Sequence, residues 1–233
     1  MNKQSGLSLI ELMVAILITS ILVLGVTSLF TDTSDAGRTN TALARVQESG
    51  RLALELIGSD ARRAGYAGCI NMASTQPTPM EMEIDTGSGI ITLPLDALSF
   101  SATQLTFRYG AAKVAGSGAP ELPATGTTCP GDTLELRVVT YANCAQGGIE
   151  RICLNGQPML DNAKIDAIDL GLVSASGSGT EWKSASAAFS EDELKRISLL
   201  RVAVTVTEKE SQASSSTTIS RSFSGTYHLR NRS

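Results

Sequence analysis

Glu11 poses the first chemical question of this 233-residue chain. It sits in the stretch KQSGLSLIEL, residues 3–12, and no other charge occurs in residues 12–31, LMVAILITSILVLGVTSLFT. A carboxylate beside so long an apolar run needs a partner or a functional reason. The other groups able to do chemistry are few. His228 is the sole histidine, so a Ser-His-Asp arrangement would have to use it. No nucleophile-elbow motif accompanies it, and it reads as a surface histidine. Asp161, Asp166 and Asp169 lack the spacing of an EF-hand calcium loop and read as solvated loop acids. Glu81 and Glu83 are uninformative. Cys69, Cys129, Cys144 and Cys153 contain no C-x-x-C, and with one histidine they argue against zinc. The glycine-rich pieces hold neither GxxxxGKS/T nor GxGxxG. These residues point away from an enzyme and imply no cofactor and no metal.

Stepping outward, residues 12–31 supply the roughly 20 apolar positions that a helix needs to cross a ~30 Å hydrocarbon core. A secretory apolar core is shorter, about 7–15 residues, and Ser34-Asp35-Ala36 matches its cleavage site poorly. Lys3 is the only cation before the run, which predicts a cytoplasmic N-terminus and an exported remainder. Four cysteines beyond the apolar segment agree with an oxidising compartment. The net charge of −4 disfavours nucleic acid as a partner, and Arg221, Arg230 and Arg232 read as a solvated end strand.

The Gly6-Leu7 junction lies four residues before Glu11. A cut there would make Leu7 the first residue and Glu11 the fifth. With its basic leader, KQSGLSLIELMVAILI resembles the N-terminus of type IV pilins and pseudopilins. The resemblance implies that a prepilin peptidase and N-methyltransferase cuts after Gly6 and methylates Leu7, and that Glu11 is the assembly residue. The family usually has Phe where Leu7 stands. A carboxylate in lipid is costly unpaired and useful when paired, and a neighbouring subunit's terminal ammonium is a suitable partner.

The helical pattern continues beyond the membrane. In RTNTALARVQESGRLALELIGSDARRAGYAGC, apolar or small residues recur at Leu43, Val46, Gly50, Ala53, Ile57, Ala61 and Ala64, steps of three and four that define one face. Glu48, Arg51 and Glu55 suggest surface ion pairs, and Gly65 a stop. Gly25 and Gly37 are weak points of about 1 kcal/mol each against Ala. Beyond Cys69 the pattern turns to period two. TQLTFRY places Leu105, Phe107 and Tyr109 on one face, DTLELRVVTY places Leu134, Leu136 and Val138, RVAVTVT places Val202, Val204 and Val206, and TISRSFSGTYHL places Ile219, Phe223 and Tyr227. Residues 145–148, AQGG, read as a hairpin turn, and SASGSGTEWKSASAAFSEDELK as a long surface connection anchored by Trp182. The predicted fold is α+β, a pilin-like lollipop. Residues 1–6 form a leader, 7–65 a long helix with 7–30 in the membrane, and 66–233 an antiparallel β-rich periplasmic head.

Four cysteines allow three connectivities. Cys144 and Cys153 flank the hairpin within reach of a bridge, which would leave Cys69 to Cys129; this pairing is favoured, and the other two connectivities stay open. The chain-entropy model assigns roughly 3 kcal/mol to the short loop and roughly 4 kcal/mol to the long one. RLALELIGSDARRAGYAGC, RICLNGQPML and RISLLRVAVTVTE with the terminal YHLRNR resemble PilW-like minor pilins, patchily in the head. That resemblance implies a structural minor pilin in the inner membrane, partnered by other minor pilins and the major pilin, that helps initiate or prime a type IV pilus at its start or tip. A J-type pseudopilin of a type II secretion system shares the same chemistry. A signal-anchored periplasmic enzyme or ligand-binding module is the rival of another class, and it predicts no cut at Gly6.

Overall fold

The computed structural model describes residues 9–66, 82–93, 95–122, 134–174, 179–211 and 216–229. The fold is α+β: the long helix α1 (Leu9–Arg63) precedes antiparallel sheets. A two-stranded sheet joins β1 (Met82–Asp85) to β2 (Ile90–Leu93). A five-stranded sheet runs, in spatial order, β3 (Leu98–Phe100), β4 (Gln104–Ala112), β5 (Leu134–Gln146), β6 (Ile149–Leu154) and β7 (Gln157–Asp161). A four-stranded sheet has the order β11-β10-β8-β9, from β8 (Ala163–Val173), β9 (Thr180–Ser184), β10 (Ile197–Ser211) and β11 (Ser216–His228). A short helix, α2 (Glu191–Lys195), precedes β10.

The chain divides into two units. One holds Met1–Arg45 with Glu208–Ile219, where Arg45 Nη1 lies 3.7 Å from Glu208 Oε1 on the surface. The other holds Val46–Thr207 with Ser220–Ser233 and contains most of the core. Within it, Val46, Ala53, Ile57, Ala61 and Ala64 are buried, as the stripe of threes and fours predicts. Two glycines set how closely β11 approaches this stripe. A Cβ on Gly50 would stand 2.3 Å from the Phe223 ring, and one on Gly58 2.3 Å from the Tyr227 ring. Tyr227 Oη also donates to the Leu54 carbonyl at 2.6 Å. Gly65 ends the helix in the left-handed region at φ 80° and donates its N–H to Arg108 O at 2.9 Å. The Glu48–Arg51 and Arg51–Glu55 pairs are not among the ion pairs of the described residues.

A polar bond that the apolar stripe does not announce joins helix to sheet. Asp60 lies on the buried face, only 8% exposed. Its Oδ1 accepts from Tyr109 Oη at 2.8 Å and its Oδ2 from Tyr141 Oη at 2.6 Å. Hydrogen bonds to a charged acceptor contribute roughly 1.5–3 kcal/mol each, and leaving such a carboxyl unpaired costs more. The Phe107 and Tyr141 rings meet edge to face, 6.1 Å between centroids.

Strand faces follow the alternation with instructive exceptions. Leu105, Phe107 and Tyr109 point inward, as do Val202, Val204 and Val206, and Phe223 and Tyr227 face the α1 glycines. In β5 the inward residues are Val139 and Tyr141, paired with Phe107 and Leu105, whereas Val138 is exposed. Leu134 and Leu136 take the opposite face, where Gly110 leaves space for Leu122 and Leu134. β8 carries a bulge: Val204 pairs with Ile165 and Ala203 with Ala167, so Asp166 is the extra residue. Buried positions therefore shift from Ala163 and Ile165 to Ile168, Leu170 and Leu172.

The stretch expected as a plain surface connection contains β9 and α2. Trp182 on β9 stacks on Arg201, 4.4 Å from guanidinium carbon to ring centroid, and Arg201 binds Asp169 at 2.9 Å. α2 starts with a capping box of Ser190 and Glu193. Asn143 stitches the two larger sheets together. Its side-chain amide donates to Ile165 O at 2.9 Å and accepts from Ile165 N at 2.7 Å, beyond the end of the β8–β9 pairing. At the expected hairpin, Gly147 and Gly148 have φ of 64° and 77°, the left-handed pair of a type I′ turn.

Two predictions follow from these contacts. Tyr141→Phe removes one donor from Asp60 and is expected to cost about 2 kcal/mol, lowering the thermal midpoint by roughly 4–8 °C; calorimetry checks this. The second concerns pH. Burial, then the bond to Asp60, raises the Tyr109 and Tyr141 phenols above their ordinary 10.0. Their share of the stability is complete below pH 10 and is lost as pH rises beyond it, so phenolate absorbance should grow together with unfolding. Glu193 is held down to about 2, first by Lys183 and then by the Ser190 backbone. Its contribution is present above about 4.5 and fades as pH falls from there toward 2, and Glu193→Gln should flatten that acid limb.

Candidate functional site

The first half of α1 has the composition of a buried surface, and the described residues leave it exposed. The large apolar side chains of residues 9–30 are 52% to 78% exposed. Twenty-two residues at 1.5 Å per residue span roughly 33 Å, about the thickness of a bilayer core. α1 is long and apolar enough to cross a membrane. Its hydroxyls do not spoil that surface. Thr19 donates to Ala15 O at 2.7 Å, Ser20 to Leu17 O at 2.8 Å and Thr27 to Val23 O at 2.7 Å. Each of these three hydroxyls donates within the helix, as a lipid-facing one must.

Glu11 is the exception. It is exposed in the first turn of α1 and has no hydrogen-bond or ion-pair partner among the described residues. The next basic residue along the helix is Arg38, roughly 40 Å away at 1.5 Å per residue, and its ion partner is Asp35 at 3.9 Å. A carboxylate within an apolar zone costs about 3 kcal/mol on insertion scales. The partner of Glu11 therefore has to come from outside the described helix. Gly6 and Leu7 lie outside the described residues. Gly25 and Gly37 do not interrupt α1, and a Cβ at either would meet nothing within 4 Å.

The remaining sequence candidates fall into place in the head. Cys144 and Cys153 are joined in a disulfide with Cα atoms 5.9 Å apart, across the β5–β6 hairpin. Cys69 and Cys129 lie outside the described residues. The three acids considered for calcium each face a cation: Asp161 pairs with Arg151, Asp166 with Lys164 at 3.6 Å, and Asp169 with Arg201 at 2.9 Å. His228 is exposed at the end of β11. Sequence reasoning missed Asp60. Its only signal was an acid on the stripe between Ile57 and Ala61, with two tyrosines at inward strand positions elsewhere.

Residues 1–27 match the family model for the prokaryotic N-terminal methylation motif. The matched segment includes Gly6, Leu7 and Glu11 and most of the apolar run. Neither the curated proteins nor the solved structures contain a match to the chain. The motif and the helix behind it fit a single-pass, membrane-anchored protein of the type IV pilin or pseudopilin type. Such a motif implies processing by a prepilin peptidase and assembly with other pilins in a membrane system.

Proposed function

We propose that this chain is a non-enzymatic minor pilin of the PilW-like kind, which helps to start a type IV pilus. The observation that carries the reading is Glu11, without a partner among the described residues, on a membrane-length helix within a methylation motif. Cleavage after Gly6 creates an ammonium at Leu7, and methylation keeps its charge. The amine of one subunit and Glu11 of the next then neutralise each other in a low dielectric, where the pair is far stronger than in water. Such a pair fixes the axial register of neighbouring helices. The apolar surface around it contributes only non-directional packing. The head, on the periplasmic side, gives partner specificity, and the Cys144–Cys153 bond suits that compartment.

The mass of the N-terminal peptide from membrane-extracted chain tests the processing step. A terminus at Leu7 carrying one added methyl is expected, and a chain beginning at Met1 or cut near Ala36 would refute the reading. Glu11→Ala should be cleaved normally yet enter filaments at least ten-fold less, by immunoblot of sheared pili. Incorporation at the wild-type level would remove Glu11 from the mechanism.

A further inference from the structure

Among the described residues, the four-stranded sheet leaves one long edge unpaired. The other outer strands of the two larger sheets are short: β3 has three residues, β7 has five with Pro158, and β9 has five with Glu181 and Lys183. Shortness, proline and charge are the usual means of keeping sheet edges from pairing. β11 has 13 residues, no proline and one charged residue, Arg221.

Its register shows which groups face outward. Leu229 N–H donates to Ser198 O at 2.8 Å, and the Thr205–Ser222 and Thr207–Ser220 hydroxyl pairs keep the same register. In an antiparallel ladder, residues that exchange bonds alternate with residues that do not. Ser220, Ser222, Ser224, Thr226 and His228 therefore aim their N–H and C=O groups away from β10. Their side chains are all exposed and, His228 apart, small, so another backbone can approach. Arg221 is exposed and takes part in none of the ion pairs among the described residues.

A second copy is a poor occupant. Phe223 lies on Gly50 and Tyr227 on Gly58, so β11 runs parallel to this part of α1. Antiparallel pairing of β11 with its own copy would set these α1 segments antiparallel. We propose that the edge of β11 over residues 220–228 receives, by strand addition, an extended segment of another protein of the assembly, bearing a carboxylate against Arg221. This rests on the reading of the chain as an assembly protein.

Hydrogen exchange tests it, comparing the full chain in the membranes of its own cells with the same chain purified as a monomer in detergent micelles. The amides of Ser222, Ser224 and Thr226 should exchange at least ten-fold more slowly in the membranes. By this register, Ser224→Pro removes an N–H that bonds no described residue of the head. It should leave the melting of the head within a few degrees and abolish the protection at Ser222 and Thr226. Arg221→Glu should abolish it too, and Arg221→Lys should retain it. Equal exchange in both preparations would overturn the proposal, as would protection that survives Ser224→Pro. Protection that survives Arg221→Glu would remove the carboxylate. A disulfide between two Ser224→Cys copies would seat a second copy there and overturn the partner assigned. The N-terminal mass from the same membranes is scored separately. A methylated Leu7 without edge protection would sink strand addition alone, and a Met1 terminus with protection would sink the pilin reading alone.

Discussion

A carboxylate without a partner in a low dielectric is the constraint around which this chain is organised, and α1 meets it twice. At Asp60 the solution is internal: both carboxyl oxygens accept phenol hydrogens, from Tyr109 and Tyr141 on adjacent strands. The helix is thereby tied to the five-stranded sheet at one defined point, and the two tyrosines cannot move without stranding a buried acid. At Glu11 the same helix offers nothing comparable among the described residues. The contrast is informative because the two acids face the same energetic demand. Asp60 is satisfied within the chain, and for Glu11 the proposed mechanism gives that task to a neighbouring subunit.

The second constraint is geometric. Gly50 and Gly58 are eight helix residues apart, roughly 12 Å along the axis, and Phe223 and Tyr227 are four strand residues apart, roughly 13 Å. The two spacings match, so two aromatic rings seat in two glycine notches without straining either element. Alanine at either notch would collide with a ring held by its strand. Docking the inward face of β11 on the helix in this way fixes its direction, and it leaves the opposite face and the outer edge uncommitted.

Much of this architecture was legible in the sequence, because the relevant signals are local. The apolar run, the Gly6-Leu7 spacing to Glu11, the helical stripe, the Gly147-Gly148 turn and the Cys144–Cys153 bridge each depend on a few neighbouring residues. What was not legible depends on partners far along the chain. β8 was read only as a run of acids because the bulge at Asp166 breaks the period of two between Ile165 and Ile168. The inward face of β5 was misassigned because both of its faces carry apolar residues, and only pairing with β4 decides that Val139 rather than Val138 faces the core. β9 was hidden in serine and glycine, and its place comes from pairing with β8 and from the Trp182–Arg201 stack. Asp60 went unread because its tyrosines are 49 and 81 residues away.

The polar residues within the apolar half of α1 sharpen the division of labour. Thr19, Ser20 and Thr27 donate their hydroxyl protons to their own helix carbonyls, so they offer a neighbour no free donor. The surrounding Leu, Ile and Val side chains offer dispersion, which lipid tails supply almost equally well. Contacts of that kind hold helices together without choosing a register, because sliding one helix along another changes little. A single ionic group changes that, since its energy falls steeply once the paired charges separate in a low dielectric. On the proposed reading of the chain as a pilin, register would then come from Glu11, and the choice among partners that share this N-terminal motif would come from surfaces that differ between them, which the head supplies.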